Sequence, residues 1–195
     1  MSKHIITSAV LFLFLWSGTQ AQNFEGKILI AIVASQVDGD GLAGYNKPGV
    51  QAGIVVNKKI RKNWHISSGF VYTSKGSWQN TSATPPGYSP KKINLHYAEI
   101  PFQAKYMITA KWTIAAGIAA GYLFYARVTD DFGLYTPEFT NDYFNFDFST
   151  HIGPEYRVND KMSVFAHLNR SMIFIREYPF HINNYLTSGL LYHIR

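Results

Sequence analysis

Hydrophobic and polar residues alternate along much of this chain with the period of two that is typical of β-strands. The clearest example is a pair of long alternating segments in residues 94–127, joined by the tight connection 109–111. In the first segment one face carries Glu99, Gln103 and Lys105, and the other carries Ile100 and Phe102. Each segment reaches the roughly 9 to 11 residues that a tilted transmembrane strand needs, whereas strands in soluble proteins average about 5 to 6. The hairpin therefore favours a transmembrane β-barrel.

The same alternation predicts eight strands. Besides the hairpin, which supplies the fourth and fifth, they cover about residues 26–37, 49–57, 64–75, 144–156, 162–169 and 184–194. The predicted connections are long after odd-numbered strands and short after even-numbered ones. Bacterial outer-membrane barrels have long external loops and short periplasmic turns, and an even strand count leaves both termini in the periplasm. The sequence therefore predicts an all-β fold, an eight-stranded antiparallel transmembrane β-barrel in the bacterial outer membrane.

The polar faces of these strands predict a charged lumen. In a small soluble barrel the apolar face would point inward around a ligand, and backbone satisfaction in lipid requires a closed sheet. The residues expected to line the lumen are Glu99, Gln103, Lys105, Asp147, His151, Glu155, Arg157 and His167. Eight strands enclose an interior just wide enough for side chains, so we expect a structural plug of salt bridges. Passage of protons or small ions is the alternative.

The first residues have the pattern of a secretory signal peptide. Lys3 and His4 precede an apolar run over residues 5–16, and small residues follow at Thr19 and Ala21. This predicts a signal peptide over residues 1–21 and a single barrel domain over 22–195. The chain has no cysteine, which excludes disulfides and thiolate sites.

The net charge of +6 does not predict nucleic-acid binding, because the basic residues are scattered. The densest group is Lys58, Lys59, Arg61 and Lys62, in a predicted short turn. Such a group is either a solvated turn or a contact for acidic lipid headgroups or a periplasmic partner. The expected surroundings are outer-membrane lipid, with protein partners at the external loops or periplasmic turns, and the expected state is a monomer.

The sequence also contains weak signals for chemistry. Four aspartates in predicted loops, Asp38, Asp40, Asp130 and Asp131, could bind calcium, but their spacing fails the EF-hand pattern and Asp-Gly turns explain the first pair. An acyl-transfer site could combine Ser67 or Ser149 with His65, His151, His167 or His193, yet no nucleophile motif supports it. We therefore predict no catalytic, cofactor or metal site. Pro101 within the fourth strand predicts a bulge or local bend.

Aromatic residues clustered toward the predicted strand ends favour an interfacial girdle. These are Trp64, Tyr106, Trp112, Tyr122, Phe124, Tyr125, Tyr156 and Tyr192.

Two segments, SQVDGDGLAGYNKPG at residues 35–49 and YAEIPFQAKY at 97–106, resemble the PorT-like outer-membrane β-barrel family of Bacteroidetes. The resemblance covers essentially all of residues 22–195. It implies an outer-membrane barrel of about eight strands, usually without assigned activity. The member that names the family belongs to a system for secretion and maturation of exported proteins.

Together these patterns predict a non-enzymatic integral outer-membrane protein that anchors long external loops for interaction. The alternatives are an accessory component of a protein secretion and maturation system and an outer-membrane lipid-modifying enzyme.

Overall fold

The structure is a computed structural model that describes residues 24–42, 44–78, 92–129, 134–135 and 137–194. The strands are β1 (Phe24–Asp38), β2 (Lys47–Lys59), β3 (Trp64–Trp78), β4 (Lys92–Met107), β5 (Trp112–Thr129), β6 (Phe146–Arg157), β7 (Met162–Ser171) and β8 (Ile182–Ile194), with a short helix α1 (Pro137–Thr140). All neighbours pair antiparallel in chain order, and β1 pairs with β8 to close the barrel. The predicted eight-stranded antiparallel barrel is confirmed. The predicted signal peptide lies outside the described residues.

The strands vary from 10 residues in β7 to 18 in β5, so each is long enough to cross a bilayer. Within the described residues, none of the helical structure has the length and hydropathy of a membrane-crossing helix.

The strand β3 is longer than its polar sequence indicated. We predicted a loop from residue 76 to 92, but Gly76 and Ser77 continue the strand and pair with Asn94 and Ile93 of β4. Gly76 has a φ of +143°, and a Cβ there would lie 2.0 Å from the carbonyl oxygen of Ile93. A glycine therefore allows the two backbones to remain paired where another residue would force them apart. Residues 79–91 lie outside the described residues.

The two faces of the strands separate as the alternation predicted. Ile100 and Phe102 of β4 are 54% and 55% exposed, whereas Glu99 and Lys105 of the same strand are each 3% exposed. The strand β1, apolar on both faces in sequence, follows the same rule: Ile28, Ile30 and Ile32 point outward, and Leu29 and Ala31 point inward. The outer wall is therefore an apolar surface suited to lipid, and the inner face is largely polar.

A bulge lies next to β4 but in its neighbour β5, where Phe124 has no partner between Leu123 and Tyr125, and Pro101 is not its position. The register between β4 and β5 shifts between His96 and Tyr97, toward the long-loop end. At the proline itself, the ladder with β3 is interrupted between Ser68 and Val71 and then resumes in the same register. Because proline has no N–H to donate, a local gap in one ladder is sufficient and no residue needs to be inserted.

The three short turns close in the same way. The first N–H of each turn donates to the carbonyl oxygen at the start of the next strand, from Ile60 to Trp64 (2.9 Å), Ile108 to Trp112 (2.9 Å) and Val158 to Met162 (3.0 Å). Aromatic pairs stand beside these turns, with ring centroids 5.0 Å apart for Trp64 and Tyr106 and 4.8 Å apart for Trp112 and Tyr156. At the other end Tyr122 and Phe146 are 5.5 Å apart. These pairs fit the two interfacial aromatic girdles of a membrane barrel.

Candidate functional site

A buried lysine is the centre of the polar lumen toward the long loops. The Nζ of Lys75 lies 2.8 Å from Oε1 of Glu99 and 3.0 Å from Oδ2 of Asp147, and the lysine side chain is completely buried. The rings of Tyr97 and Tyr185 lie 4.3 Å and 4.5 Å from the same Nζ. Two carboxylates and two aromatic faces therefore compensate the buried ammonium group. We call Lys75, Glu99 and Asp147 the Lys75 cluster.

Neighbouring polar groups complete the Lys75 cluster. Thr73 donates a hydrogen bond to Oε2 of Glu99 (2.5 Å), and Asn183 donates one to Oδ2 of Asp147 (3.0 Å). Glu99 and Asp147 were predicted to face the lumen, but Lys75 was missed because we ended the third strand there. The inward face of that strand already carried Thr73, so continuing the alternation by two residues would have placed Lys75 inside as well.

A second ion pair lies closer to the short turns. Lys105 donates to Oε1 of Glu155 at 2.6 Å, and Nε2 of His167 is 3.9 Å from the same oxygen. The ring of His167 stacks on His151 with centroids 5.9 Å apart. All four side chains were predicted to face the lumen and are buried there.

An internal cavity of about 30 Å³ lies between the two ion-paired groups. Its wall includes Gln103, His151 and His167, together with Val55, Phe165 and Leu191. This volume holds one or two water molecules, and nothing as large as a metabolite. Among the described residues, no group of three or more histidine, aspartate or glutamate side chains could hold a metal ion. The arrangement is that of a packed polar interior with a space large enough for one or two water molecules.

Arg157 does not belong to this enclosed set. It is the last residue of β6 and is exposed at the short-turn rim. We predicted that its side chain points into the lumen, but the strand ends there and the side chain is exposed to solvent.

The short-turn rim also contains a hydrogen-bonded chain of four side chains. The Oγ of Ser163 lies 2.9 Å from Nε2 of His193, and Nδ1 of His193 lies 2.6 Å from Oε1 of Glu25. The other oxygen of that carboxylate, Oε2, is 3.2 Å from Nζ of Lys27. Serine, histidine and acid thus stand in the order found in catalytic triads.

Sequence reasoning had named different serines as partners for histidine. Ser67 and Ser149 are buried on the inner face, while His193 contacts Ser163. Ser163 and His193 belong to β7 and β8, and Glu25 belongs to β1, so the contact depends on how the barrel closes. No local spacing in the sequence could have revealed it.

The long-loop end is closed by residues from two long connections. Tyr143 and Ile175 pack on Val37, Ile93 and Leu95 in one buried apolar cluster. Three contacts fix the closure: Ile175 donates its N–H to the carbonyl of His181 (2.9 Å), Phe144 donates its N–H to the carbonyl of Ile175 (2.9 Å), and Arg176 forms an ion pair with Asp142 (2.6 Å). We call Tyr143, Ile175, Arg176 and His181 the lid.

Burial changes the protonation of groups at this end. Burial, together with the nearby Arg176 guanidinium, lowers the pKa of His181 to about 4. The phenol of Tyr143 contacts Nδ1 of His181 at 3.0 Å, and burial raises the pKa of that phenol. Burial raises the pKa of Asp40 to about 6. The lid is therefore held by neutral rather than charged forms of its histidine and tyrosine.

The aspartates considered for calcium serve local structure where they are described. Asp40 accepts a hydrogen bond from the N–H of Leu42 at 2.7 Å, which is an Asx turn. Asp38 accepts from Gln36 at 2.7 Å and lies 3.5 Å from Arg170. Asp130 and Asp131 lie outside the described residues.

The outer surface of the long-loop end is rich in exposed apolar side chains. The most exposed on the connection between β7 and β8 are Met172 (62% exposed), Phe174 (46%), Tyr178 (84%) and Phe180 (56%). Phe174 and Phe180 contact each other with ring centroids 4.6 Å apart. We call these four residues the aromatic patch.

Comparison with known proteins agrees with this architecture. Residues 20–175 match the family described as outer membrane protein beta-barrel domain. The chain belongs to this family. It is an outer-membrane β-barrel protein, and the predicted membership of the PorT-like branch in Bacteroidetes stays a prediction.

Solved structures with similar folds are also outer-membrane barrels. Ail, the attachment invasion locus protein of Yersinia pestis, is 14% identical with a TM-score of 0.53, covering 89% of this chain and 100% of Ail. Ail in complex with the heparin analogue sucrose octasulfate gives a TM-score of 0.52 at the same identity and coverage. Neisserial surface protein A is 11% identical, with a TM-score of 0.48 over 87% of this chain and 96% of that protein. The likeness to Ail shows the fold alone. A search of curated proteins found no match.

Proposed function

We propose that this outer-membrane protein is a membrane anchor that presents its long connections to an external partner. In this proposal residues 22–195 form the mature barrel, the long connections lie outside the cell, and both ends of the mature chain lie in the periplasm. The sorting of connections supports the orientation, because bacterial barrels place long loops outside and short turns inside. The anchor role itself involves no chemistry, since the aromatic patch and the lid would act by binding.

The observation that carries the proposal is the lid beneath the aromatic patch. Ile175 is completely buried while Met172 and Tyr178 of the same connection are 62% and 84% exposed. One connection therefore closes the barrel with some side chains and offers apolar surface with others. Exposed apolar surface of this kind is typical of interaction sites. The ion pairs inside the barrel and the lid at its long-loop end support an anchor role over solute transport.

Two measurements test the anchor role. In planar lipid bilayers, we expect the folded protein to give no stepwise ion conductance. A photo-crosslinking amino acid at Tyr178 should capture a specific external partner on intact cells, while the same group at Lys111, in a short turn, should not capture that partner. Steady channel openings in the bilayer, or equal capture from both positions, would contradict the proposal.

A second candidate is an accessory role in protein secretion and maturation. The exposed basic residues at the short-turn end support it, since they offer a surface for an acidic periplasmic partner. They are Lys59, Arg61, Lys62, Lys111 and Lys161. Deletion of the gene should then reduce the export of secreted proteins, and restoring the gene with these five residues changed to glutamine should fail to recover it. Unchanged export in the deletion strain would count against this role.

A further inference from the structure

We infer that Ser163, His193 and Glu25 form a nucleophilic triad that cleaves carboxylic esters at the short-turn rim of the lumen. This goes beyond the anchor role, which concerns the opposite end of the barrel. The inference begins from the two ring nitrogens of His193. Nε2 is 2.9 Å from the serine hydroxyl, and Nδ1 is 2.6 Å from the carboxylate. With the proton on Nδ1, the ring is oriented to accept the serine proton at Nε2.

The acid of the triad is held in place by a second contact. Glu25 uses Oε1 for His193 and Oε2 for Lys27, whose ammonium group is 3.2 Å away. Both carboxylate oxygens are therefore occupied, and the charge of Glu25 is retained beside the histidine. Lys27 and His193 are register partners in β1 and β8, so their side chains emerge next to each other on the inner face. Lys27 therefore holds the Glu25 carboxylate beside His193.

The site lies at the edge of the barrel, next to residues that are exposed to solvent. Ser163 is the second residue of β7, directly after the turn 158–161. Ser163 and His193 are 5% and 4% exposed, whereas the side chain of Glu25 is 39% exposed and Arg157, the register partner of Ser163, is exposed. The Ser163 side chain is therefore buried, but its register partner is exposed to solvent.

The reaction has two steps. In the first, Oγ of Ser163 attacks the ester carbonyl carbon while Nε2 of His193 takes the hydroxyl proton, and the alcohol leaves with that proton, so that an acyl-serine remains. In the second, water attacks the acyl-serine, His193 takes a proton from the water and returns it to Oγ, and the carboxylic acid is released. Glu25 stabilises the positive ring in both steps and stays ionised.

The chemistry recognised is a carboxylic ester, and two sources are compatible with the position. The rim is beside the aromatic girdle, since Tyr192 precedes His193 and is 47% exposed on the outer wall. The ester could belong to a small soluble molecule or to a membrane phospholipid. The experiment below distinguishes these sources.

The test uses the full mature chain folded in lipid nanodiscs and a fluorophosphonate probe, which reacts with activated serines. We expect a single adduct on Ser163, located by peptide mass spectrometry. His193→Gln should slow its formation at least about 100-fold, as loss of a general base does, and Ser163→Ala should abolish it. Ser67→Ala, which changes another buried serine on the inner face, should leave the rate within about twofold of the parent. Heat-modifiable gel migration shows that each variant is folded.

The outcomes decide the inference. Absence of an adduct on Ser163 in the parent protein, or an unchanged labelling rate in folded His193→Gln, overturns the triad. Hydrolysis of p-nitrophenyl acetate that requires Ser163 supports a soluble ester, and release of fatty acid from nanodisc phospholipid that requires Ser163 supports a lipid. Labelling without release of acid from either substrate overturns ester cleavage. None of these results depends on the external partner, so the anchor role stands or falls separately.

Discussion

Replacing Lys75 with methionine tests whether the Lys75 cluster holds the barrel interior together. Methionine keeps a similar length but removes the ammonium group that lies 2.8 Å and 3.0 Å from the two carboxylates. The lysine side chain is completely buried and that of Asp147 is 1% exposed, so water cannot replace the lost partner. Removal of one member of a buried ion pair costs about 3 to 5 kcal/mol. We expect Lys75→Met to lower the free energy of unfolding by that amount, which is a factor of roughly 10² to 4 × 10³ in the folding equilibrium constant.

The assay is urea unfolding of the protein in phospholipid vesicles, followed by tryptophan fluorescence and by gel mobility. The midpoint should fall while the dependence on urea stays the same. Lys111→Met is the matched control, because Lys111 is exposed in a short turn, and its effect should be within about 0.5 kcal/mol. The triple variant Lys75→Met, Glu99→Gln, Asp147→Asn removes all three charges and should recover much of the lost stability. A loss below about 1 kcal/mol for Lys75→Met, or a triple variant no more stable than the single one, would refute the reasoning.

Three further predictions follow from the lid and the outer wall. An NMR titration should give His181 a pKa near 4. Because the folded lid favours the neutral ring, the stabilisation from His181 is fully present above about pH 6.5 and is lost as the pH falls toward 4. An ordinary histidine pKa would contradict the buried lid. Ile175→Ala removes a completely buried side chain and should reduce stability by about 2 to 5 kcal/mol, measured as faster hydrogen exchange in residues 172–181. The control Ile173→Ala changes a neighbouring side chain that is 39% exposed, so it should change hydrogen exchange little. Phe102→Arg places a charge on the outer wall and should cost about 2 to 4 kcal/mol in vesicle unfolding, and an effect near zero would mean that this face does not meet lipid.

The triad bears directly on the prediction that the protein is not an enzyme. That prediction rested on the absence of a local nucleophile motif in the sequence. The strand pairing of β7, β8 and β1 brings serine, histidine and glutamate together without such a motif. Labelling of Ser163 would therefore correct the prediction, and its absence would leave the prediction standing.

The sequence by itself determined the strands and their two faces. The period-two pattern is a local property, so it placed Glu99 and Lys105 in the lumen and Ile100 and Phe102 on the outer wall. It failed at Lys75, where polar residues resembled the start of a loop although Gly76 allowed the pairing to continue. It also failed at Arg157, which we predicted to face the lumen but whose side chain is exposed at the end of β6.

The tertiary structure decided which lumen residues meet. Lys75 and Asp147 are 72 residues apart in the chain, and Glu25 meets His193 because β1 pairs with β8. Such contacts depend on the register of every strand and on closure of the barrel, which no local pattern encodes. The lid has the same origin, since Tyr143 and Ile175 come from separate connections and share one apolar cluster. Alternation fixes which way a side chain points, and barrel closure fixes which partner it finds.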